Sequence, residues 1–133
     1  MNLPFAINYQ LICHLPIRHL EQPMSLKDQL MQDLKDAMKA GDETRKATIR
    51  LLRAAIGAAE VDKRSAFVDA QLAKGVDVEK LALDDAQFTL TDEEVLAVIQ
   101  KQAKQRRDSI AEFKKGRRDD LVAAEEAELA VIG

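Results

Sequence analysis

This sequence predicts an all-α bundle of about four helices, on three observations. Ala, Leu, Glu, Lys and Arg are abundant, while Gly and Pro number only five and three in 133 residues, a composition that favours helix. Apolar residues recur at intervals of three and four in successive segments, most of them opened by a capping residue. No stretch keeps the alternation of period two that a half-buried strand requires. Hydrophobic residues make up 47% of the chain but aromatics only 4%, so the core must be built from aliphatic side chains. The length fits one domain with a modest core.

Residues 1–23 stand apart. They hold all three prolines (Pro4, Pro16, Pro23), both histidines (His14, His19), the only cysteine (Cys13) and the only tyrosine (Tyr9). No helical or strand period runs through them. They read as a disordered arm, or as upstream sequence translated ahead of a start at Met24, and chain termini are where such segments collect. Cys13, His14 and His19 have the side chains of metal ligands, but a site takes three or four at fitting spacing and no further Cys or His exists, so metal binding is not expected. A lone cysteine forms no internal disulfide.

The first helix begins after Ser25, with Asp28 three positions on as a variant capping box. Leu26, Leu30, Leu34 and Met38 form its stripe, Met31 and Ala37 widen it, and Gly41 ends it. Asp42 caps a second helix that the pattern carries to about Lys63. Ile49, Leu52, Ile56 and Ala59 share one face, and Leu51, Ala55 and Ala58 extend apolar character most of the way round. Only a narrow strip of Lys46, Arg50 and Arg53 is left polar, so this helix is expected in the middle of the bundle. Gly57 falls on that strip, where it would permit close approach of another backbone.

Residues 64–90 are less regular and acidic, with three basic residues against five acidic ones. They read as an inserted connection with one or two short helical pieces. Thr91-Asp92-Glu93-Glu94 is a strong helix start, with a capping threonine, a glutamate three later and acids in the first turn. That third helix runs to about Lys115 and carries Val95, Leu96, Ile99, Ala103, Ile110 and Phe113 on one side. Lys114 and Lys115 suit the dipole of its last turn, and Gly116 suits a left-handed cap. A fourth helix starts near Arg118 or Asp119 and buries Leu121, Val122, Leu129 and Ile132.

Charge is concentrated at one place. From Lys101 to Arg118 there are eight basic and two acidic residues, a local net of +6 in a chain whose net is −3. Lys101, Lys104, Arg107, Lys114, Lys115, Arg117 and Arg118 are the candidate RNA-binding residues, since such a patch neutralises phosphates along a backbone. No aromatic residues interleave with them, so recognition of a folded RNA by shape fits better than stacking on a single strand. The competing reading is a solvated helix end whose lysines simply answer the dipole. Arg106 differs from its neighbours because the helical wheel puts it among the apolar residues. A guanidinium there must meet an acceptor. Asp119, Asp120, Glu60 and Asp62 are candidates, and the pair Arg106–Asp120 is the expected structural ion pair.

Enzyme chemistry finds little support. From Met24 onward there is no His, Cys, Trp, Tyr, Asn or Pro, hence no imidazole for acid–base work and no thiol nucleophile. No Gly-rich phosphate loop occurs. Catalytic residues, cofactors and metals are therefore not expected. No apolar run reaches the roughly 20 residues of a membrane span, and no signal peptide pattern opens the chain, so a cytoplasmic protein with no membrane partner is expected.

Met24-Ser25-Leu26, the second-helix run Ile49-Arg50-Leu51-Leu52, and above all Lys104-Gln105-Arg106-x-Asp108-Ser109 with Phe113 and Arg118-x-Asp120-Leu121, carry a resemblance. Together with Glu128-Leu129 and Ile132 they resemble the YqeY (GatB/YqeY) family. That family is similar to the tail region of GatB, a subunit of the glutamyl/aspartyl-tRNA amidotransferase. The resemblance covers about 24–133 and departs at Arg117, where family members often have Gly. It implies the helical N-terminal domain of the family, with the usual second small helical domain absent. It also implies association with tRNA-dependent amidation and the family-level label of a carbon–nitrogen ligase with glutamine as amido-N-donor. A non-catalytic module contacting tRNA or amidotransferase subunits leads. The alternative is a protein–protein interaction module without RNA binding, self-association through Leu129, Val131 and Ile132 included. An amidotransferase in its own right ranks last.

Overall fold

Ser25 and Gly41 bracket the first helix in the computed structural model, which describes residues 23–133; Cys13, His14, His19 and nearly all of the expected arm lie outside them. Among the described residues the protein is all-α, with four helices and two short 3-10 turns. Helix α1 is Leu26–Ala40 and α2 is Glu43–Ala73. The 3-10 turns Val78–Lys80 and Asp85–Phe88 follow. Helix α3 is Asp92–Lys115 and α4 is Asp119–Ile132.

The starts are made as the capping chemistry dictates. Ser25 Oγ accepts from the Asp28 N–H, and Asp42 accepts from the Arg45 N–H. Thr91 and Glu94 form a complete capping box, each side chain bonding the other's backbone N–H. Helix α4 has no side-chain cap at Arg118, and its first turn relies on Asp119 and Asp120 against the dipole.

The helix ends share one device. At the end of α1, the Asp42 N–H donates to Ala37 C=O and the Gly41 N–H to Met38 C=O; at the end of α2, Val76 and Gly75 donate to Gln71 and Leu72. Both are Schellman motifs, and the residue at the bend, Gly41 (φ +68) or Gly75 (φ +75), is left-handed. At the end of α3 the bonds run from Arg118 to Phe113 and from Arg117 to Lys114. The left-handed residue there is Arg117 (φ +55), while Gly116 has φ −80. This corrects the expectation of a left-handed Gly116: the hydrogen-bond pattern puts the bend one residue later. A side chain in that conformation costs roughly 1 kcal/mol. Arg117→Gly is therefore expected to stabilise the protein by about 1 kcal/mol, or about 4 °C in Tm. A thermal melt showing no rise would remove the strain.

Helix α2 is ten residues longer than the expected end at Lys63. The former start of the acidic connection continues as helix because its side chains find partners far along the chain. Phe67 meets Phe88 with ring centroids 5.5 Å apart, and Arg64 pairs with Asp85 at 3.0 Å. The rest of the connection folds into the two 3-10 turns, each opened by an aspartate accepting from a backbone N–H.

The core forms where α1, α2 and α3 meet. Leu34, Ala37 and Ile49 make one cluster, with Leu30 and Val131 against it. Ile56, Leu90 and Val95 make the other, flanked by Leu26, Ala59, Val98 and Ile99. Helices α3 and α4 form the most extensive helix pair, an antiparallel hairpin. The expectation that α2 is covered on several sides is not met: Leu51 is 48% exposed and Ala58 is exposed too. Nor does Gly57 admit another backbone, since a Cβ there would meet nothing within 4 Å.

Candidate functional site

The basic residues singled out in the sequence occupy the outer side of α3 and its tip. At about 100° per residue, Lys101, Lys104 and Lys115 fall on the side of α3 opposite buried Val95 and Ile110, whereas Arg107 and Lys114 lie at its border, next to buried Ala103 on the wheel. Arg117 and Arg118 sit at the turn into α4. All seven are exposed. From Lys101 to Lys115 the row is about 21 Å long.

Four of the seven are not free. Lys104 pairs with Asp108 at 2.7 Å, Lys115 with Glu112 at 2.8 Å and Lys114 with Glu126 at 3.1 Å. Arg118 meets Asp120 through two bonds, from Nε at 3.2 Å and from Nη2 at 3.1 Å. The hydrogen bond and charge of Glu112 raise the pKa of Lys115, and Arg118 holds Asp120 below the usual carboxylate range. Among the described residues, Lys101, Arg107 and Arg117 make no ion pair within 4.0 Å. Exposed pairs of this kind are weak and exchange readily, so the paired lysines remain available to a phosphate.

The neutralising role of the α4 acids was not anticipated. Residues 119–133 carry five acids and no base, and the α3–α4 hairpin from Lys101 onward has a net of only +1. The acidic run was legible in the sequence; its position alongside the lysines depended on how α4 folds back.

Arg106 is the inward residue that the wheel requires, with its side chain 13% exposed. Its partner is Glu128, at 3.0 Å from Nε, and Gln102 accepts a second, longer bond at 3.4 Å. The expected pair with Asp120 does not form. Arg106 and Glu128 are each eleven residues from Arg117 at the bend, so an antiparallel hairpin sets them side by side. Asp120 is three residues from that bend, which leaves it about 12 Å short of Arg106 along the axis. Asp120 turns to Arg118 instead.

A second feature escaped the sequence. A cleft of about 310 Å³ lies between α1 and α2, lined by Lys27, Leu30, Met31, Arg53, Gly57 and Glu60 among others. Its signal was Gly57, a glycine in mid-helix with open space where a side chain would stand. Glu60 closes the cleft by accepting from Lys27 Nζ and from the Leu90 N–H at 3.1 Å. Burial pushes the Glu60 carboxyl up, but the Lys27 and Leu90 hydrogen bonds, with the charges of Lys27 and Lys63, outweigh it and leave the pKa lowered. Glu94 is lowered as well, first by the Thr91 N–H and then by Lys63. Glu60, Glu94 and Asp120 thus all shift toward staying charged, the direction that serves ion pairing rather than proton transfer near neutral pH.

No helix among the described residues is long and apolar enough to cross a membrane, and no group of three His, Cys, Asp or Glu is placed to hold a metal ion.

Comparison with known proteins gives the lineage. "Altered inheritance of mitochondria protein 41, mitochondrial" of Lachancea thermotolerans is 39% identical over 103 residues, 77% of this chain and 43% of that protein. The proteins of the same name from Eremothecium gossypii and Kluyveromyces lactis are 39% and 37% identical over 103 residues. The chain spans less than half the length of these relatives, 43% to 44%. The expectation of a cytoplasmic protein is corrected here: it rested on the lack of a recognised targeting segment, and the relatives are named as mitochondrial proteins. A family model described as Yqey-like protein matches residues 27–81 and 75–133, the two stretches meeting in the connection after α2. With helices, caps and the Arg106 segment in place and all of 27–133 matched in two overlapping stretches, the chain belongs to the Yqey-like protein family.

Proposed function

We propose that this chain is a non-catalytic helical module that contacts tRNA through the outer side of α3, in association with tRNA-dependent amidation. The association comes from the family resemblance to the amidotransferase tail, and a mitochondrial location is read from the relatives' name. One observation carries the RNA contact: Lys101, Lys104 and Arg107 follow one another at three-residue intervals along α3 and are all exposed. A row of this length suits the backbone of a folded RNA. Arg117, unpaired at the tip, extends it toward α4.

Binding to unfractionated tRNA over a salt series, with duplex DNA as competitor, tests the reading. The triple variant Lys101→Glu, Lys104→Glu, Arg107→Glu is expected to lose tRNA affinity by a factor on the order of 100 and to flatten the log–log salt slope by about 2–3. Helicity by circular dichroism is expected to be unchanged. Affinity unaffected by the reversal, or equal affinity for DNA, overturns the proposal.

The near-neutral net charge of the α3–α4 hairpin favours a second reading, a protein–protein interaction module without RNA binding, with amidotransferase subunits or another protein as its partner. It predicts no saturable tRNA binding even at low salt.

A further inference from the structure

Helix α2 is apolar on two sides; among the described residues the bundle covers one of them and reaches the other only near Ala47, which lines a cleft with Ala124 and Ala127 of α4. Ile49, Leu52 and Ile56 are buried, whereas Leu51, Val61 and Leu72 are 48%, 63% and 55% exposed. On the same side Ala47, Ala54, Ala58 and Ser65 are exposed and Val68 is half-buried. Scattered exposed aliphatic residues need no explanation, but a row in register does.

The row is in register. Positions 47, 51, 54, 58, 61, 65, 68 and 72 are separated by four, three, four, three, four, three and four residues. That alternation is the 3.5-residue repeat of a coiled-coil seam. Leu51, Ala58, Ser65 and Leu72 take one core position of the heptad, and Ala47, Ala54, Val61 and Val68 take the other. No charge interrupts the seam over its length of about 38 Å. It becomes continuous only because α2 runs on to Ala73. The small residues allow a facing helix to come near the lower end of the usual 8–10 Å spacing.

The flanks say what covers it. Along one border lie Arg50, Gly57, Arg64 and Gln71; along the other lie Ala55, Asp62 and Asp69. One flank is basic and the other acidic. In a parallel pair of helices each border meets the opposite border of the partner, whereas an antiparallel pair sets like against like. A second copy of α2, parallel and related by a two-fold axis along the seam, therefore brings each basic flank against an acidic one. Arg64 then faces Asp69 of the second copy, twice over by symmetry. Its present partner, Asp85, is highly exposed, so that pair is exchanged at little cost while Phe67 against Phe88 still holds the end of α2.

We propose that this surface binds a second copy of the chain, forming a parallel α2–α2 homodimer. The α3 basic row is no part of the seam, so both copies would keep it exposed.

Sedimentation equilibrium on the full chain tests the inference, with Val61→Lys as the disrupting variant. Val61 is exposed in the single chain, so the substitution leaves the fold intact by circular dichroism while placing a charge in the dimer seam. The unaltered chain is expected to dimerise and Val61→Lys to weaken dimerisation by about tenfold or more. Arg64→Asp is expected to weaken it less, and Arg64→Asp with Asp69→Arg to restore it. Orientation is read by cross-linking in a Cys13→Ser background, where Leu72→Cys is expected to yield a disulfide-linked dimer. A chain that stays monomeric up to about 100 μM overturns the proposal, as does a dimer indifferent to Val61→Lys. Cross-linking that needs Leu72→Cys combined with Ala47→Cys overturns the parallel arrangement.

Discussion

Replacing Arg106 with Met is expected to destabilise the bundle by about 2–3 kcal/mol, and replacing Glu128 with Leu in the same chain is expected to recover most of that loss. Removing one partner of a fully buried pair costs about 3–5 kcal/mol because the other charge is left without compensation. Here the side chains are 13% and 30% exposed, so water reaches Glu128 and the loss falls below that range. The double replacement removes both desolvation costs and fills the α3–α4 contact with apolar volume. Urea unfolding of the four proteins measures the cycle. Glu128→Gln, which keeps an acceptor for Arg106 Nε, is expected to lose less than Glu128→Leu alone. Strictly additive losses would mean that the two residues do not stabilise the hairpin as a pair.

Glu60→Ala is expected to cost about 2–3 kcal/mol, because it strips the acceptor from the N–H of buried Leu90 and the partner from Lys27. One oxygen of Glu60 ties α1, through Lys27, to α2 and to the strap that enters α3. Next to it, Lys63 donates to Glu94 at 3.0 Å, fastening α2 to the capping box of α3. The pKa of Glu60 in the folded chain lies below its ordinary value of 4.5. Its stabilising contribution is therefore complete above about pH 4.5 and is lost as pH falls through the lowered folded value. Glu60→Gln keeps an acceptor for Leu90 but has no titrating group. Its difference from the unaltered chain is expected to shrink as pH drops from about 6 to 3. A gap that stays constant over that range would show that ionised Glu60 does not support the junction.

Helix starts were legible because a cap is local: Ser25, Asp42 and Thr91 bond backbone groups three residues on. The end of α1 was legible for the same reason. The end of α2 was not, because residues 64–73 are held by Phe88 and Asp85, which lie about twenty residues further along the chain. The inward direction of Arg106 could be read from helical spacing, but its partner could not. Asp120 is nearer in sequence, whereas Glu128 is nearer in space once the hairpin closes. The candidate site divides in the same way. Its cations were visible as a run of charge, yet the pairing of Lys114 with Glu126 depends on where α4 lies.

Sequence by itself determined the class of fold, the helix starts, the aliphatic core stripes and the family. Each rests on backbone hydrogen bonds and side-chain periodicity within a few residues. Only the tertiary structure decided how far α2 extends, which carboxylate answers Arg106, that Arg117 rather than Gly116 takes the left-handed bend, and that one apolar side of α2 is left largely uncovered among the described residues. Three of these turn on residues that are distant in sequence but adjacent in space, and the bend follows the Schellman bonds at the mouth of the α3–α4 hairpin. Such pairings are fixed by which helix faces compete best for burial, a choice made by the whole chain at once.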